Sequence, residues 1–266
     1  MDLPQLTDHE FGLFQKMIYQ TAGIHMAPVK KALISGRLAK RLKHYGLASY
    51  GDYFRLLYED ESEELQVAVD LLTTNETFFF REPKHFEFLQ EEVLPHWTTG
   101  PKRFWSAASS SGEEAYTLAM VLAEFAPQHS WEIIGTDLCS RVVEKARSGH
   151  YELERASHIP PVYLAKYCLK GVGNQEGTFL ISPELQRRTQ FFHANLKDDL
   201  NHLGSFDVIF LRNLLIYFDQ ETKKAVVSNL VRRLKSRGFL IVGHSETLNG
   251  ISEEVQSLAP SIYQKP

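Results

Sequence analysis

Ten consecutive residues, Trp105-Ser106-Ala107-Ala108-Ser109-Ser110-Ser111-Gly112-Glu113-Glu114, join a run of small side chains to a pair of carboxylates. A ligand can come close to so bare a backbone. The segment holds one glycine and fails the G-x-G-x-x-G pattern that grips a dinucleotide pyrophosphate. It also sets acids where such an enzyme offers a helix N-terminus to phosphate. Two carboxylates repel a phosphate and suit a cation. S-adenosylmethionine has no phosphate and carries a sulfonium and an ammonium, which is a physical reason to prefer it to NAD. The same residues can instead form a tight turn whose acids favour the helix dipole. This segment alone leaves both readings open. Asp137 ends the next apolar run, WEIIGTD, where a carboxylate can accept from both ribose hydroxyls. Asp is also a common helix cap, but its place one βα unit after the small-residue turn strengthens the nucleoside reading.

Two further segments set polar groups among apolar ones. Arg212 and Asn213 stand between apolar runs in FLRNLLIYF, with Tyr217 on the next turn. Methyltransferases acting on the exocyclic nitrogens of bases place D/N-P-P-Y there, and this chain has no such prolines. In isolation the segment reads as a capped strand end with a core tyrosine. In LTTNETFFFR three consecutive phenylalanines precede Arg81. Such a run is unusual for a solvated linker and should pack against something. The plainer reading is an interdomain plug with Asn75 or Thr77 as a helix cap.

The elements that must position these residues fall into two parts. Through residue 75, apolar side chains recur at helical spacing, as in Phe11, Phe14, Ile18 and in Ile34, Leu38, Leu42, Tyr45. Gly23, Pro28, Gly46 and Gly51 punctuate them. A small all-helical domain is expected over 1–75. From residue 102, KRFWSA, WEIIGTD, QFFHAN, FDVIFL and GFLIVGH alternate with helical stretches at 113–125, 141–147 and 221–234. This alternation predicts an α/β fold over 76–266, a doubly wound and mostly parallel sheet. A small antiparallel hairpin, inserted at about 168–190, interrupts it, with Gly171, Gly173 and Gly177 suiting its turn. SIYQ at the end suits a last strand pairing antiparallel at an edge.

Composition excludes several classes. A net charge of −4 argues against a surface that grips nucleic acid throughout. No apolar run approaches the roughly 18 residues of a membrane span. The start, MDLPQLTDHEFGLF, lacks the basic and apolar regions of a signal peptide. Cys139 and Cys168 sit in no C-x-x-C pattern, so a reduced, cytoplasmic chain is expected. Charge is uneven: residues 30–45 carry six Lys/Arg and no acid, while 59–64 carry five acids and no base. On a helix Arg37, Lys40, Arg41 and His44 share one face by i, i+3, i+4, i+7 spacing. No metal-ligand set is expected.

TNETFFFRE, WSAASSSGEEAY, IGTDL, FLRNLLIYF and VGHSE stand in the order and spacing of the chemotaxis receptor glutamate O-methyltransferases, the CheR family, which this chain resembles from about residue 10 to 264. The resemblance implies the class I S-adenosylmethionine-dependent methyltransferase type of α/β fold and transfer of a methyl group to glutamate carboxylates of chemoreceptors, leaving S-adenosylhomocysteine. It implies that Asn75, Thr77 and Arg81 line the cofactor site and that Glu114 holds the cofactor at the first turn. Asp137 takes the ribose, Asn195 and Leu196 flank the adenine, and Arg212 and Asn213 close the pocket. Arg81 and Tyr217 lie nearest the transferred methyl. Two departures are small: Ala115 replaces a usual proline, and Cys139 a usual polar residue. The family makes the face of Arg37, Lys40, Arg41 and His44 a docking surface for an acidic receptor helix. The inserted hairpin resembles a subdomain that, in some members, takes a receptor C-terminal peptide as an extra strand. A monomer without nucleic-acid partner or membrane insertion is expected. The alternatives are a regulatory protein that binds S-adenosylmethionine, a nucleic-acid methyltransferase and, disfavoured by the acidic first turn, a nicotinamide oxidoreductase.

Overall fold

The computed structural model describes residues 4–59, 63–97 and 100–266. Residues 60–62 of the acidic run lie outside it. The chain forms two compact units, one of Met1–Thr74 with Tyr217–Thr222, the other of Asn75–Ile216 with Lys223–Pro266. A boundary at residue 75 leaves out the second segment of the first unit.

That unit holds helices α1 (Asp8–Ala22), α2 (Lys31–Tyr45), α3 (Tyr50–Glu59) and α4 (Glu64–Leu72). Thr7 and Glu10 cap α1 reciprocally, and Gly23 ends it in the left-handed conformation. The helices bury Phe11, Phe14 and Ile18 from α1, and Ile34, Leu38 and Leu42 from α2. Tyr45 departs from this apolar stripe: it is exposed, with its hydroxyl on Glu64. The segment after residue 216 joins the unit through an antiparallel bridge of Ile24 with Phe218. A bond of 2.6 Å from the Tyr19 hydroxyl to Asp219 adds to it. Neither contact has a sequence signal.

In the second unit α5 (Lys84–Phe88) is followed by β1 (Lys102–Ser106), α6 (Glu113–Phe125), β2 (Trp131–Asp137), α7 (Ser140–Ser148) and β3 (His150–Glu152). Then come α8 (Pro161–Tyr167), β4 (Cys168–Lys170), β5 (Thr178–Ile181), α9 (Pro183–Arg187), β6 (Thr189–His193), β7 (Phe206–Leu211), α10 (Gln220–Arg233), β8 (Leu234–Val242), β9 (Gln256–Ala259) and β10 (Ile262–Gln264). Seven strands form one sheet in the order β6-β2-β1-β7-β8-β10-β9. The first five are parallel, and β10 and β9 add antiparallel. Order reverses at β1, between β2 and β7, so the ligand crevice is due at the carboxyl ends of these strands.

The tail strand is internal rather than at the edge, because β9 pairs beyond it. The residues of β9 are almost wholly exposed and carry no apolar alternation to betray it. The expected hairpin is a three-stranded sheet in the order β3-β5-β4. It begins at His150, a strand too short to show a period, and residues 189–190 belong to the main sheet. The phenylalanine run is core of this unit. Phe79 is fully buried against Tyr151 and Phe179, with ring centroids 5.1 and 5.8 Å away. Phe80 packs on Phe86 and Tyr163. Among the described residues no helix is long and apolar enough to cross a membrane.

Candidate active site

The turn after β1 is built to hold the carboxylate that ends β2. Ser110 N–H donates to Asp137 Oδ2 at 2.8 Å, and Cys139 N–H to Asp137 Oδ1 at 2.9 Å. The turn needs Ser110 at φ 48° and Gly112 at φ 97°. A Cβ at Gly112 would meet Ala146 Cβ and the Tyr151 hydroxyl at 2.9 Å, so no other residue fits there. Ser110 Oγ donates to the Asn75 carbonyl at 3.0 Å, tying the segment before the phenylalanine run to the same turn. Ser109 Oγ is buried in it without a hydrogen-bond partner within the protein.

The two acids of the turn part company. Glu113 is fully buried, takes a bond from Ser111 Oγ at 2.7 Å and pairs with Arg155 at 2.7 Å. Burial pushes its carboxyl up, opposed by Ser111 and Arg155. Glu114 alone faces the strand end, accepting from Ser106 Oγ at 2.7 Å and Arg212 Nη1 at 3.0 Å. Of the two acids read as suiting a cation, one is spent in the core and the other is paired with Arg212.

Arg212 is far more than a cap on β7. It is 6% exposed and bridges two acids, with Nη1 on Glu114 and Nη2 on Glu82 Oε2 at 3.1 Å. Nη2 also donates to the Arg81 carbonyl at 2.5 Å. The guanidinium lies 5.7 Å from the Phe86 ring centroid, a cation–π distance. Its Nε has no partner within the protein. Burial tends to raise the Glu82 carboxyl, but Asn213 and Arg212 outweigh it and hold the group low. Asn213, at φ 56°, donates from Nδ2 to Glu82 at 3.1 Å and from its backbone to Glu246 at 2.8 Å. Glu246 also accepts from Gly243 N–H at 2.7 Å. Burial raises its carboxyl against these amides. A Cβ at Gly243 would lie 2.7 Å from Asn213 Nδ2 and 2.8 Å from Glu246 Oε2, so this corner requires glycine. His85, buried beside Glu82, is pushed down to about 3 by burial and by the Arg212 charge.

The remaining expected residues fall as follows. Arg81 is half-buried, donates to the Glu76 carbonyl at 3.0 Å and stacks 5.6 Å from the Phe78 ring centroid. The Thr77 carbonyl accepts from Arg155 at 3.1 Å. Asn195 follows β6, whose last residue pairs with Asp137, and its side chain accepts from Lys197 N–H at 3.1 Å. Leu196 is buried. The sheet unit thus links Asn75 with Asp137 through Ser110, and Arg81 with Glu114 through Arg212. Tyr217 belongs to the helical unit, where its carbonyl accepts from His25 N–H at 2.8 Å and Lys30 Nζ lies 5.2 Å from its ring centroid.

The cationic face of α2 is partly turned inward. Arg37 donates to the carbonyls of Thr73 at 2.8 Å and Leu72 at 3.3 Å, at the end of α4. Arg41 grips Glu64 at 2.7 and 2.5 Å. Lys40 and His44 stay exposed. Sequence reasoning gave no role to Glu82, Arg155 or Glu246, and named Ser106 and Ser110 only as small residues of the first turn. An arginine between apolar runs implies a partner carboxylate, but no spacing says which.

Residues 75–263 match the family described as CheR methyltransferase, SAM binding domain, and residues 9–73 that described as CheR methyltransferase, all-alpha domain. A chemotaxis protein methyltransferase of Salmonella typhimurium is 38% identical over 263 residues, covering 97% of this chain and 90% of that one. That of Escherichia coli is 38% identical, with 97% and 91% covered. That of Borreliella burgdorferi is 33% identical over 273 residues, with 98% and 95% covered.

Proposed function

Because this chain belongs to the CheR methyltransferase family and is therefore an S-adenosylmethionine-dependent methyltransferase, we propose that it esterifies glutamate side chains on the cytoplasmic domain of bacterial chemoreceptors. One observation carries this reading. Two neighbouring arginines differ in charge state of their surroundings: Arg212 is paired with two carboxylates, whereas among the described residues Arg81 pairs with none. A half-buried guanidinium without a counter-ion suits an anionic substrate.

The residues present fit S-adenosylmethionine. Asp137 sets a carboxylate at the ribose position of a doubly wound fold. Ser109 Oγ is an open polar atom in a turn of small side chains. Glu114 supplies negative charge for the amino-acid end or a nearby donor, Asn195 and Leu196 flank the adenine, and Asn75, Thr77, Arg212 and Asn213 complete the walls. When bound, the cofactor supplies an electrophilic methyl on a positive sulfur.

A glutamate carboxyl, with an ordinary pKa of about 4.3, is ionised at neutral pH, so the chain need provide no general base. It has instead to orient and partly dehydrate that anion. Arg81 holds the carboxylate by its guanidinium fork, and Tyr217 adds a hydroxyl donor or an aromatic face. On the basic face of Arg37, Lys40, Arg41 and His44, docking falls to Lys40 and His44, the two that are exposed. A receptor tail peptide can add to β4, the edge of the small sheet, beside the exposed Leu169 and Val172. The chain acts in the cytoplasm as a monomer.

The test is transfer of labelled methyl from S-adenosylmethionine to a purified receptor cytoplasmic domain, followed by base. A carboxyl ester releases the label as methanol. Label that stays on the protein after base, or no transfer at all, rejects glutamate esterification and returns the chain to nitrogen methylation or to cofactor-binding regulation.

A further inference from the structure

Glu82 has a second neighbourhood, on the side away from Glu114. Glu82, His85 and His244 bring one ligand atom each to within 4.8 Å of one another. His85 is 1% exposed, and its Nε2 lies 2.8 Å from Ser261 Oγ. That hydroxyl also lies 2.6 Å from the Pro260 carbonyl, and when it donates there it accepts from His85 Nε2–H. Nδ1 is then a bare lone pair. It has no hydrogen-bond partner within the protein and faces Glu82 Oε2, a second acceptor, at 3.6 Å. Glu82 Oε2 already accepts from Arg212 Nη2 and from the His244 N–H, both at 3.1 Å, whereas the buried Nδ1 is left open, and a cation between the two would satisfy it. The His244 ring, exposed and 4.6 Å from the His85 ring, stands at the open side.

We propose that Glu82, His85 and His244 form a binding site for a divalent transition metal of the zinc class. Imidazole nitrogen and carboxylate oxygen are ligands such an ion takes, and three of them leave a position for water. Ligands about 2.0–2.1 Å from a tetrahedral ion stand about 3.3 Å apart. The Glu82–His85 pair at 3.6 Å is nearly there, and a rotation of the exposed His244 side chain would close the rest. The His85 Nε2–H bond to Ser261 is the outer hydrogen bond that fixes a metal-bound histidine. Arg212 Nη2, 3.1 Å from the same Glu82 oxygen, opposes the ion. Binding is therefore reversible, and it draws Glu82 off Arg212. The consequence for methyl transfer rests on the function proposed above, whereas the binding does not.

Zn2+ is titrated calorimetrically into the metal-stripped full chain, with Co2+ absorption recorded in parallel. The expected result is one ion per chain, a visible tetrahedral Co2+ spectrum, and at least tenfold weaker binding by His244→Ala. Zn2+ should also inhibit methyl transfer by the wild type but not by His244→Ala, whose zinc-free activity stays within twofold of wild type. No stoichiometric binding, or equal affinity in His244→Ala, overturns the site. Tight binding lost in His244→Ala without inhibition of the wild type keeps the site and overturns its coupling to Arg212.

Discussion

Each unit of this protein holds an arginine–carboxylate network, Arg41 with the buried Glu64 in one and the buried Arg212 with Glu82 and Glu114 in the other, and the two close differently. In the helical unit Glu64, 5% exposed, accepts from Arg41 at 2.7 and 2.5 Å, from the Tyr53 hydroxyl at 2.6 Å and from the Tyr45 hydroxyl at 3.0 Å. Every strong acceptor position of that carboxylate is used. In the sheet unit Arg212 bridges Glu82 and Glu114, yet Arg212 Nε, His85 Nδ1 and Ser109 Oγ stay without partners within the protein. Buried polar atoms left open cost about 1–3 kcal/mol each. Trp131 Nε1 and Ser182 Oγ are open elsewhere in the sheet unit, but three of the open atoms belong to Arg212, to His85 beside Glu82 and to the first turn, where a ligand can be met. The closed network is a strut and the open one is a site.

The largest expected effect comes from removing the central arginine of the open network. Arg212→Met leaves the half-buried Glu82 and Glu114 without their counter-ion, which should cost about 3 kcal/mol of stability. Methyl transfer at a temperature where the variant is folded should fall at least 100-fold, about 2.7 kcal/mol. Near-normal turnover alongside the lost stability would make this network a strut as well and break the comparison.

The closed network should show the opposite split. Glu64→Gln should lower stability by about 3 kcal/mol and leave the turnover of folded enzyme within twofold. It also sharpens the comparison through pH. Burial tends to raise the Glu64 carboxyl, but bonds from Arg41, Tyr53 and Tyr45 outweigh it and hold the group below its ordinary value of 4.5. A carboxyl lowered by folding stabilises above its ordinary value, and the contribution is lost as pH falls through the folded one. Denaturant titrations below pH 4.5 should show this loss in the wild type and a flatter response in Glu64→Gln. Identical slopes would mean that Glu64 is not the group titrating.

How much of this was legible in advance depended on the range of the signal. The helix over 113–125 and the strand WEIIGTD follow from local period and agree with the structure. Asp137 could be placed because a strand end fixes its own last residue. The division of Glu113 from Glu114 could not, since adjacent helix residues point about 100° apart and nothing local says which direction is core. The partners of Arg212 lie 98 and 130 positions back in the chain, and long-range pairing leaves no period. The missed strands β3 and β9 are short or exposed, so neither offered alternation.

Arg81 tests the site at its edge. With its single bond to the Glu76 carbonyl it contributes little to the fold. Arg81→Ala should therefore leave the melting temperature near wild type while turnover drops at least tenfold, about 1.4 kcal/mol. Tyr217→Phe, which keeps the ring and removes the hydroxyl, should also lose at least tenfold. Wild-type turnover by Arg81→Ala would refute an anion-orienting role.

The smallest effect separates strut from site within a single helix. On α2, Arg37 and Arg41 spend their donors on α4, whereas Lys40 and His44 are exposed. An exposed cation acts on an acidic partner through water, so Lys40→Ala should raise the KM for receptor only about threefold at low salt, about 0.6 kcal/mol. Added salt should erase the difference, because screening at about 0.15 M shortens the reach of such charges to about 8 Å. Arg37→Gln should instead lower the melting temperature, since it strips the last carbonyls of α4 of their donor. If Arg37→Gln shifted KM in the same salt-dependent way as Lys40→Ala, the inward arginines would belong to the docking surface after all, and charge spacing along the helix would be the better guide to it than burial.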